Sequence, residues 1–401
     1  MESMIDLNAP EFVKNRRENY RALRTNAPFA VTELDGEKVV VVTRYGDVDA
    51  IFKQPQSGVQ PAVGDFPSNI GDGPAADFYR LSLPSIDAPD HTQFRRIMTP
   101  AFAPQAVSEM ATWVTEIVDQ RLDEISEKPA IDAVHELGHA VAVGVICKIL
   151  HVPPQDGDML TDKVNDLVHI FNQNGLTPEI LAISDKAAVY IVDYFSSLLK
   201  ELGDLPETDF MGALAAAERK GVIDGRQSIA LIVNVLLGNY HTTVVSITNA
   251  VNAFALFPEQ HRALIEQPDL AARAWEEVLR FEAPVHFRHR YVSEPFSIGD
   301  VKIEPGVRLL LGLASANWDE TVFENPDTFN ISRAPIRQFA FGSGRHFCLG
   351  ALISRLEGRI FLPRFLSRFP DYHLTDLPHR RNEDLTFPFI ERLPIEVGRS
   401  H

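Results

Sequence analysis

The chain has 401 residues, 45% of them apolar and 23% charged, the balance of a globular protein able to bury a large core. Its formal net charge of −17 argues against nucleic-acid partners, because such binding needs a cationic surface that displaces counterions. Two distant cysteines, Cys147 and Cys348, make no disulfide framework, the start has no apolar signal-like stretch, and no 18 consecutive residues are apolar; these point to a reducing, cytoplasmic setting without a membrane partner.

Taken in chain order, EKVVVVT at 37–43 reads as a strand. Gly71 to Pro89 is rich in Gly, Pro and Asp and reads as an irregular loop. Apolar residues at helical spacing predict helices over 105–125, 131–151, 186–202, 227–256, 258–266, 269–281 and 349–368. The 227–256 segment is apolar nearly all round, which predicts a buried central rod of roughly 45 Å. Residues 296–311 read as strands with a turn at Pro305 and Gly306. No repeat or linker-like stretch breaks the chain, so residues 1–401 are expected to form one domain, mainly α with a small β region.

The strongest chemical signal is FAFGSGRHFCLG, residues 339–350. A thiolate that binds a metal must be held by backbone N–H groups and shielded from water. Glycines at 342, 344 and 350 permit turns and a close approach to a flat cofactor, and the helix dipole behind Cys348 favours a thiolate. A glycine loop around an inert, buried cysteine is the plainer alternative. Glu277 and Arg280, three apart on one helix face, can pair with each other. His91 and Arg95 in DAPDHTQFRRIMTPAF are four apart on one face, a geometry suited to a dianion.

These segments together resemble the cytochrome P450 family. Phe341, Gly342, Gly344, His346, Cys348 and Gly350 match its haem-binding loop position for position, and ALISRLEGR looks like the helix that follows it. The resemblance implies the family fold, with the long central helix over a buried haem b (iron protoporphyrin IX) ligated by Cys348. It implies propionate contacts from His91, Arg95, Arg290 and His346, and a bracing trio of Glu277, Arg280 and Arg333, the last in ENPDTFNISR. It also implies an oxygenase that inserts one atom of O2 into a small hydrophobic substrate. No flavin or nicotinamide domain is fused to the chain, so electrons are expected from an iron-sulfur ferredoxin and its NAD(P)H-dependent reductase. Arg96, Arg337 and Arg345 are expected to steer that partner.

In the central helix the sequence departs from the family pattern. Where the family shows an acid before its threonine, this chain reads Gly238-Asn239-Tyr240-His241-Thr242. An imidazole can relay protons near neutral pH, so His241 and Thr242 are the expected catalytic pair, with use of peroxide as an alternative. By register, Phe78, Phe171, Asn234, Leu237, Gly238, His286, Arg288, Phe387 and Phe389 are expected to line the substrate pocket. Phenylalanines from separate segments suit a small aromatic that is hydroxylated or O-demethylated; a terpenoid-like hydrocarbon is the alternative. A haem carrier or gas sensor without turnover is a second function class. The HExxH of His135, Glu136 and His139 allows a third, a zinc hydrolase, although no third His follows at the extended spacing; in the P450 reading this segment is a buried structural helix.

Overall fold

The 32 residues from Gly225 to Leu256 form a single helix, about 48 Å long at 1.5 Å per residue. By length and composition it could cross a membrane, but 61% of its most apolar stretch is buried inside the protein. The computed structural model that shows this describes residues 5–398 apart from 8, 35, 62–65, 67, 172–175, 335–336, 376–379 and 383. Those residues are mostly helical, with small sheets. They fall into two units, one of Met1–Ser57, Ala111–Val141 and Thr242–His401, the other of Gly58–Met110 and Ala142–His241. The central helix runs through the unit boundary between His241 and Thr242.

The first unit carries a sheet in which Phe29–Leu34, Glu37–Val42, Arg308–Gly312 and Phe287–Val292 lie side by side in that order. Glu37–Val42 pairs antiparallel with Phe29–Leu34 and parallel with Arg308–Gly312. Phe29–Leu34 (FAVTEL) escaped the sequence reading, although its alternating buried and open positions are the period-two signature of a strand. The expected 296–311 strand group divides into Phe296–Ile298, Val301–Ile303 and Arg308–Gly312, and Gly306 turns at φ +81°.

Helix Ala271–Phe281 follows a 3-10 turn at Pro268–Leu270 and buries Ala274, Trp275, Val278, Leu279 and Phe281. It packs on helix Ala351–Arg368 so closely that a Cβ on Gly358 would lie 2.0 Å from the Trp275 indole. Only glycine permits that approach.

Four expectations need correction here. The 71–89 loop contains a helix, Pro74–Arg80, with Pro74 in its first turn and Gly73 before it; the surrounding Gly, Pro and Asp masked seven helical residues. The 105–125 helix divides at Met110 into Pro104–Glu109 and Ala111–Ser126. The 131–151 helix begins instead as strand Ala130–Asp132, passes through a π-helical turn at Val134–His139 and becomes regular only over Ala140–Ile149. The 186–202 helix starts earlier, at Pro178, where the Thr177 side chain accepts a hydrogen bond from the Ile180 N–H.

Candidate functional site

Cys348 lies in a backbone loop closed by its own hydrogen bonds. The Cys348 N–H donates to the Phe341 carbonyl at 2.9 Å, Gly342 N–H to Phe339 at 2.8 Å and Phe347 N–H to Gly344 at 3.1 Å. Gly342 and Gly344 hold φ of +65° and +69°, which side chains with a Cβ resist. A Cβ at Gly344 would also meet the Phe52 carbonyl oxygen at 2.4 Å, so the loop is pressed against helix Tyr45–Lys53. Gly350 differs from the expectation: its φ of −80° is ordinary, and it serves as the residue before helix Ala351–Arg368. Cys348 is exposed just ahead of that 18-residue helix, whose dipole favours an anion there.

Cations surround the loop. Burial lowers the affinity of the Arg288 guanidinium for its proton, and the Cys348 sulfur acts in the opposite sense, so the two groups feel one another. Arg290, two residues along the same strand, is buried, donates to the His289 carbonyl at 2.7 Å and lies 4.9 Å over the Phe52 ring. His346 is half-buried. Phe341 is buried under the Arg355 guanidinium at 4.7 Å, which Glu276 fixes at 2.6 Å. An accessible thiol between a helix dipole and arginines suits a group that offers both a thiolate-binding metal and carboxylates.

Glu277, Arg280 and Arg333 come together in the first unit. Arg280 grips Glu277 with two bonds, Nε to Oε2 at 2.7 Å and Nη2 to Oε1 at 2.8 Å. Arg333 Nε reaches Glu277 Oε2 at 3.1 Å, and its Nη2 holds the carbonyls of Asn325 and Thr328. Arg280 Nη1 adds the carbonyls of Asn317 and Pro326, each at 3.0 Å. The trio therefore ties one helix to two stretches of irregular chain.

In the second unit, His91 and Arg95 share a face of helix Asp90–Met98, His91 buried and Arg95 half-buried. On the central helix Gly238 is exposed, and His241 and Thr242 are half-buried. Burial pushes the His241 imidazole down to about 4, and among the described residues its Nε2 meets no hydrogen-bond partner.

A family model described as Cytochrome P450 matches residues 265–384. Cytochrome P450 107B1 of Saccharopolyspora erythraea is 30% identical over 404 aligned residues, which cover 96% of each chain. The chain belongs to the cytochrome P450 family. It is also similar to the vitamin D(3) 25-hydroxylase of Pseudonocardia autotrophica, 30% identical over 98% of this chain and 96% of that one. Among solved structures, P450BioI in complex with hexadec-9Z-enoic acid-ligated acyl carrier protein superposes with a TM-score of 0.88 at 28% identity, covering 96% of this chain and 99% of that one. As a cytochrome P450 the protein is a haem b monooxygenase.

Two residues expected to line the pocket of this P450 are committed elsewhere. His286 is buried in the first unit's core, with Nδ1 3.5 Å from the Tyr20 hydroxyl and its ring edge-on to Trp318 at 5.7 Å. Burial and the nearby Arg16, Arg17 and Arg381 hold it well below its ordinary pKa, so it is a neutral core residue. Asn234 bonds within the protein through both its amide oxygen and its amide nitrogen. Its Nδ2 donates to the Ala230 carbonyl at 2.6 Å, and its Oδ1 accepts from Ser82 Oγ and Leu83 N–H, both at 2.9 Å.

The remaining candidates are apolar. Phe78 is buried on helix Pro74–Arg80, Phe171 lies against Tyr79 at 5.4 Å, and Leu237 is half-buried. Phe387 and Phe389 are exposed, with the Arg288 guanidinium 5.4 Å from the Phe387 ring.

The HExxH segment supplies no zinc site. Its two histidine rings lie 5.0 Å apart across a π-helical turn, so they could share a ligand, but no third ligand joins them among the described residues. Glu136 accepts from Lys128 and from the Asp132 N–H at 3.1 Å, and His135 is exposed, so the segment is not the buried structural helix expected. Among the described residues no group of three His, Cys, Asp or Glu could hold a metal ion. Sequence reasoning missed Phe52, Glu276, Arg355 and Gly358, which support the cysteine loop and the helix behind it. Only the position of Arg355 and Gly358 in the helix after the cysteine could have hinted at them.

Proposed function

We propose that this cytochrome P450 is a single haem domain that ligates iron through Cys348 and oxygenates a small hydrophobic substrate with electrons from a ferredoxin and its reductase. The observation that carries the reading is the closed glycine loop that leaves Cys348 exposed just ahead of helix Ala351–Arg368. Bound there, haem b supplies oxygen activation; the chain supplies the ligand, the charge balance and the protons. Arg290 and His346 in the first unit offer cationic or donor groups for a carboxylate, and the family resemblance assigns the same role to His91 and Arg95. Glu277, Arg280 and Arg333 brace the first unit.

Small aromatics remain the leading substrate class, supported by Phe78 and Phe171. With the polar groups of Asn234 and His286 engaged inside the protein, few side-chain donors are left for a phenol or methoxy oxygen. That observation favours the second reading, a terpenoid-like hydrocarbon, and one relative is itself named a vitamin D(3) 25-hydroxylase.

His241 would act as a neutral ring. With its basicity lowered to about 4, it can take a proton on one nitrogen as it releases one from the other, one residue before Thr242. For the electron partner, Arg345 and Arg96 are exposed, whereas Arg337 is paired with Asp49 and offers a weaker field. The test is the Cys348→Ser holoprotein: haem retained, but the thiolate-type Soret band of the reduced CO complex lost. A thiolate spectrum persisting in that variant would overturn the assignment.

A further inference from the structure

In the second unit, the described residues 68–87 form an excursion fastened at three places. At its base, Asp87 Oδ2 accepts from the N–H groups of Val59 and Gln60 at 2.7 and 3.0 Å, while Gln60 Oε1 accepts from the Asp87 N–H at 3.2 Å. Near the start of helix Pro74–Arg80, Asp185 Oδ1 on helix Pro178–Glu201 accepts from the Ala75 N–H at 2.9 Å. A Cβ on Gly73 would lie 2.3 Å from the other Asp185 oxygen, so the carboxylate sits directly against the backbone. Past the end of the short helix, Asn234 on the central helix takes Ser82 Oγ and Leu83 N–H on one oxygen. An exposed ion pair, Arg226 with Asp77 at 2.7 Å, adds little by comparison.

The two inner fastenings differ from surface contacts in kind. Each uses an acceptor oxygen of one helix to satisfy a backbone N–H of the excursion, and a buried N–H left unpaired is costly. A seven-residue helix has little stability of its own, so its pose follows its anchors. Asn234 is itself oriented by its bond to the Ala230 carbonyl one turn back. Phe78 and Tyr79 lie between the two anchors and are buried, and Tyr79 in turn meets Phe171.

We propose that Asn234 is a positioning residue: it sets the pose of the 74–83 segment, and with it Phe78, and Asp185 sets the other end. This rests on the reading of Phe78 as a substrate-facing residue. The central helix and helix Pro178–Glu201 thereby control selectivity through the backbone of a third element rather than by touching substrate. The prediction is that selectivity follows the acceptor oxygen at position 234 and is independent of whether the ligand can hydrogen-bond.

The test uses haem-loaded protein with imidazole and 4-phenylimidazole as probes, since the first reports only the iron and the second adds an aromatic ring. Losing two hydrogen bonds to one oxygen, at roughly 1 kcal/mol net between them after relaxation, corresponds to about a five- to tenfold effect. Asn234→Ala should therefore weaken 4-phenylimidazole by about that factor, leave imidazole unchanged and speed amide hydrogen exchange across residues 75–85. The reduced CO spectrum and melting temperature should stay near the parent's. Asn234→Asp keeps the acceptor but loses the donor to the Ala230 carbonyl, so it should restore exchange and affinity in part. Ser82→Ala should add little in the Asn234→Ala background, because both act on one contact.

Unchanged exchange over 75–85 in Asn234→Ala would overturn the proposal. So would a loss of 4-phenylimidazole binding that Asn234→Asp fails to relieve while exchange is restored, because that marks a direct contact. Phe78→Ala separates the two levels. If it weakens 4-phenylimidazole but Asn234→Ala does not, positioning fails and the pocket reading stands. If neither variant changes it, both fall.

Discussion

Glu277 and Arg280 face each other across one turn of helix Ala271–Phe281, with only 3% and 2% of their side chains exposed. Two charges at that depth survive because every nitrogen of Arg280 has an acceptor and both Glu277 oxygens are doubly engaged. Removing Glu277 leaves Arg280 charged, buried and without a carboxylate, which costs about 3–5 kcal/mol, and removing Arg280 leaves Glu277 only Arg333 as a charged partner. Glu277→Ala and Arg280→Ala are expected to give little soluble holoprotein. Denaturant unfolding of whatever is recovered checks the magnitude. A midpoint like the parent's would show that the pair carries no such load.

Gly358 tests the packing beneath the cysteine loop. Adding one methyl would place it 2.0 Å from Trp275, and overpacking of this sort costs about 1–3 kcal/mol or more. Gly358→Ala should lower the melting temperature, and Trp275→Leu in the same chain should recover part of the loss by making room. A second substitution that worsens stability by its full separate amount would show that the two sites do not share the strain.

His241 and Thr242 make a kinetic prediction. His241→Ala should slow turnover by about tenfold or more, the low end of what a positioned proton donor contributes. Thr242→Ala should divert electrons to hydrogen peroxide, and His241→Glu should restore product formed per NADH consumed. Because burial lowers His241 to about 4, the parent's coupling should be flat between pH 8 and 6. Coupling in His241→Ala equal to the parent's would make the imidazole a packing residue.

A pH-dependent contribution to stability is built into the second unit. His151 Nε2 lies 2.7 Å from Asp209 Oδ2, and that bond raises the histidine above its ordinary 6.5. Burial pushes Asp209 upward, but bonds from His151 and the Gly212 N–H outweigh it, so its carboxyl lies below 3.8. The histidine's contribution is complete below 6.5 and fades as pH rises through its raised value; the aspartate's is complete above 3.8 and fades as pH falls through its lowered value. The pair is therefore most stabilising between those limits. His151 sits at φ 53°, a backbone state that asparagine tolerates, so His151→Asn is the clean probe. Its melting deficit should be largest near pH 5.5 and shrink by pH 9. An equal deficit at both values would show that the ion pair contributes nothing.

Local chemistry was legible in the sequence. The thiol loop declared itself through glycine and cysteine spacing within a dozen residues, and Glu277 with Arg280 through a three-residue helical interval. The length of the central helix followed from apolar composition. Each depends on neighbours close in the chain, where backbone geometry leaves few choices.

Which partner a polar side chain takes was not legible, and the tertiary structure decided it. Asn234 finds Ser82 and Leu83 some 150 positions away, so a residue in register with a pocket becomes a clamp on another segment. His286 turns to Tyr20 and Trp318 because the segment before its strand packs on the N-terminal helix Arg16–Asn26. Arg337 meets Asp49, which also pairs with Lys53. The sequence by itself determined the cytochrome P450 family and the mainly helical architecture, because motif spacing and periodicity are local properties. Only the three-dimensional packing decided which polar groups remain available to a substrate, because a hydrogen bond between distant residues leaves no periodic trace in the chain.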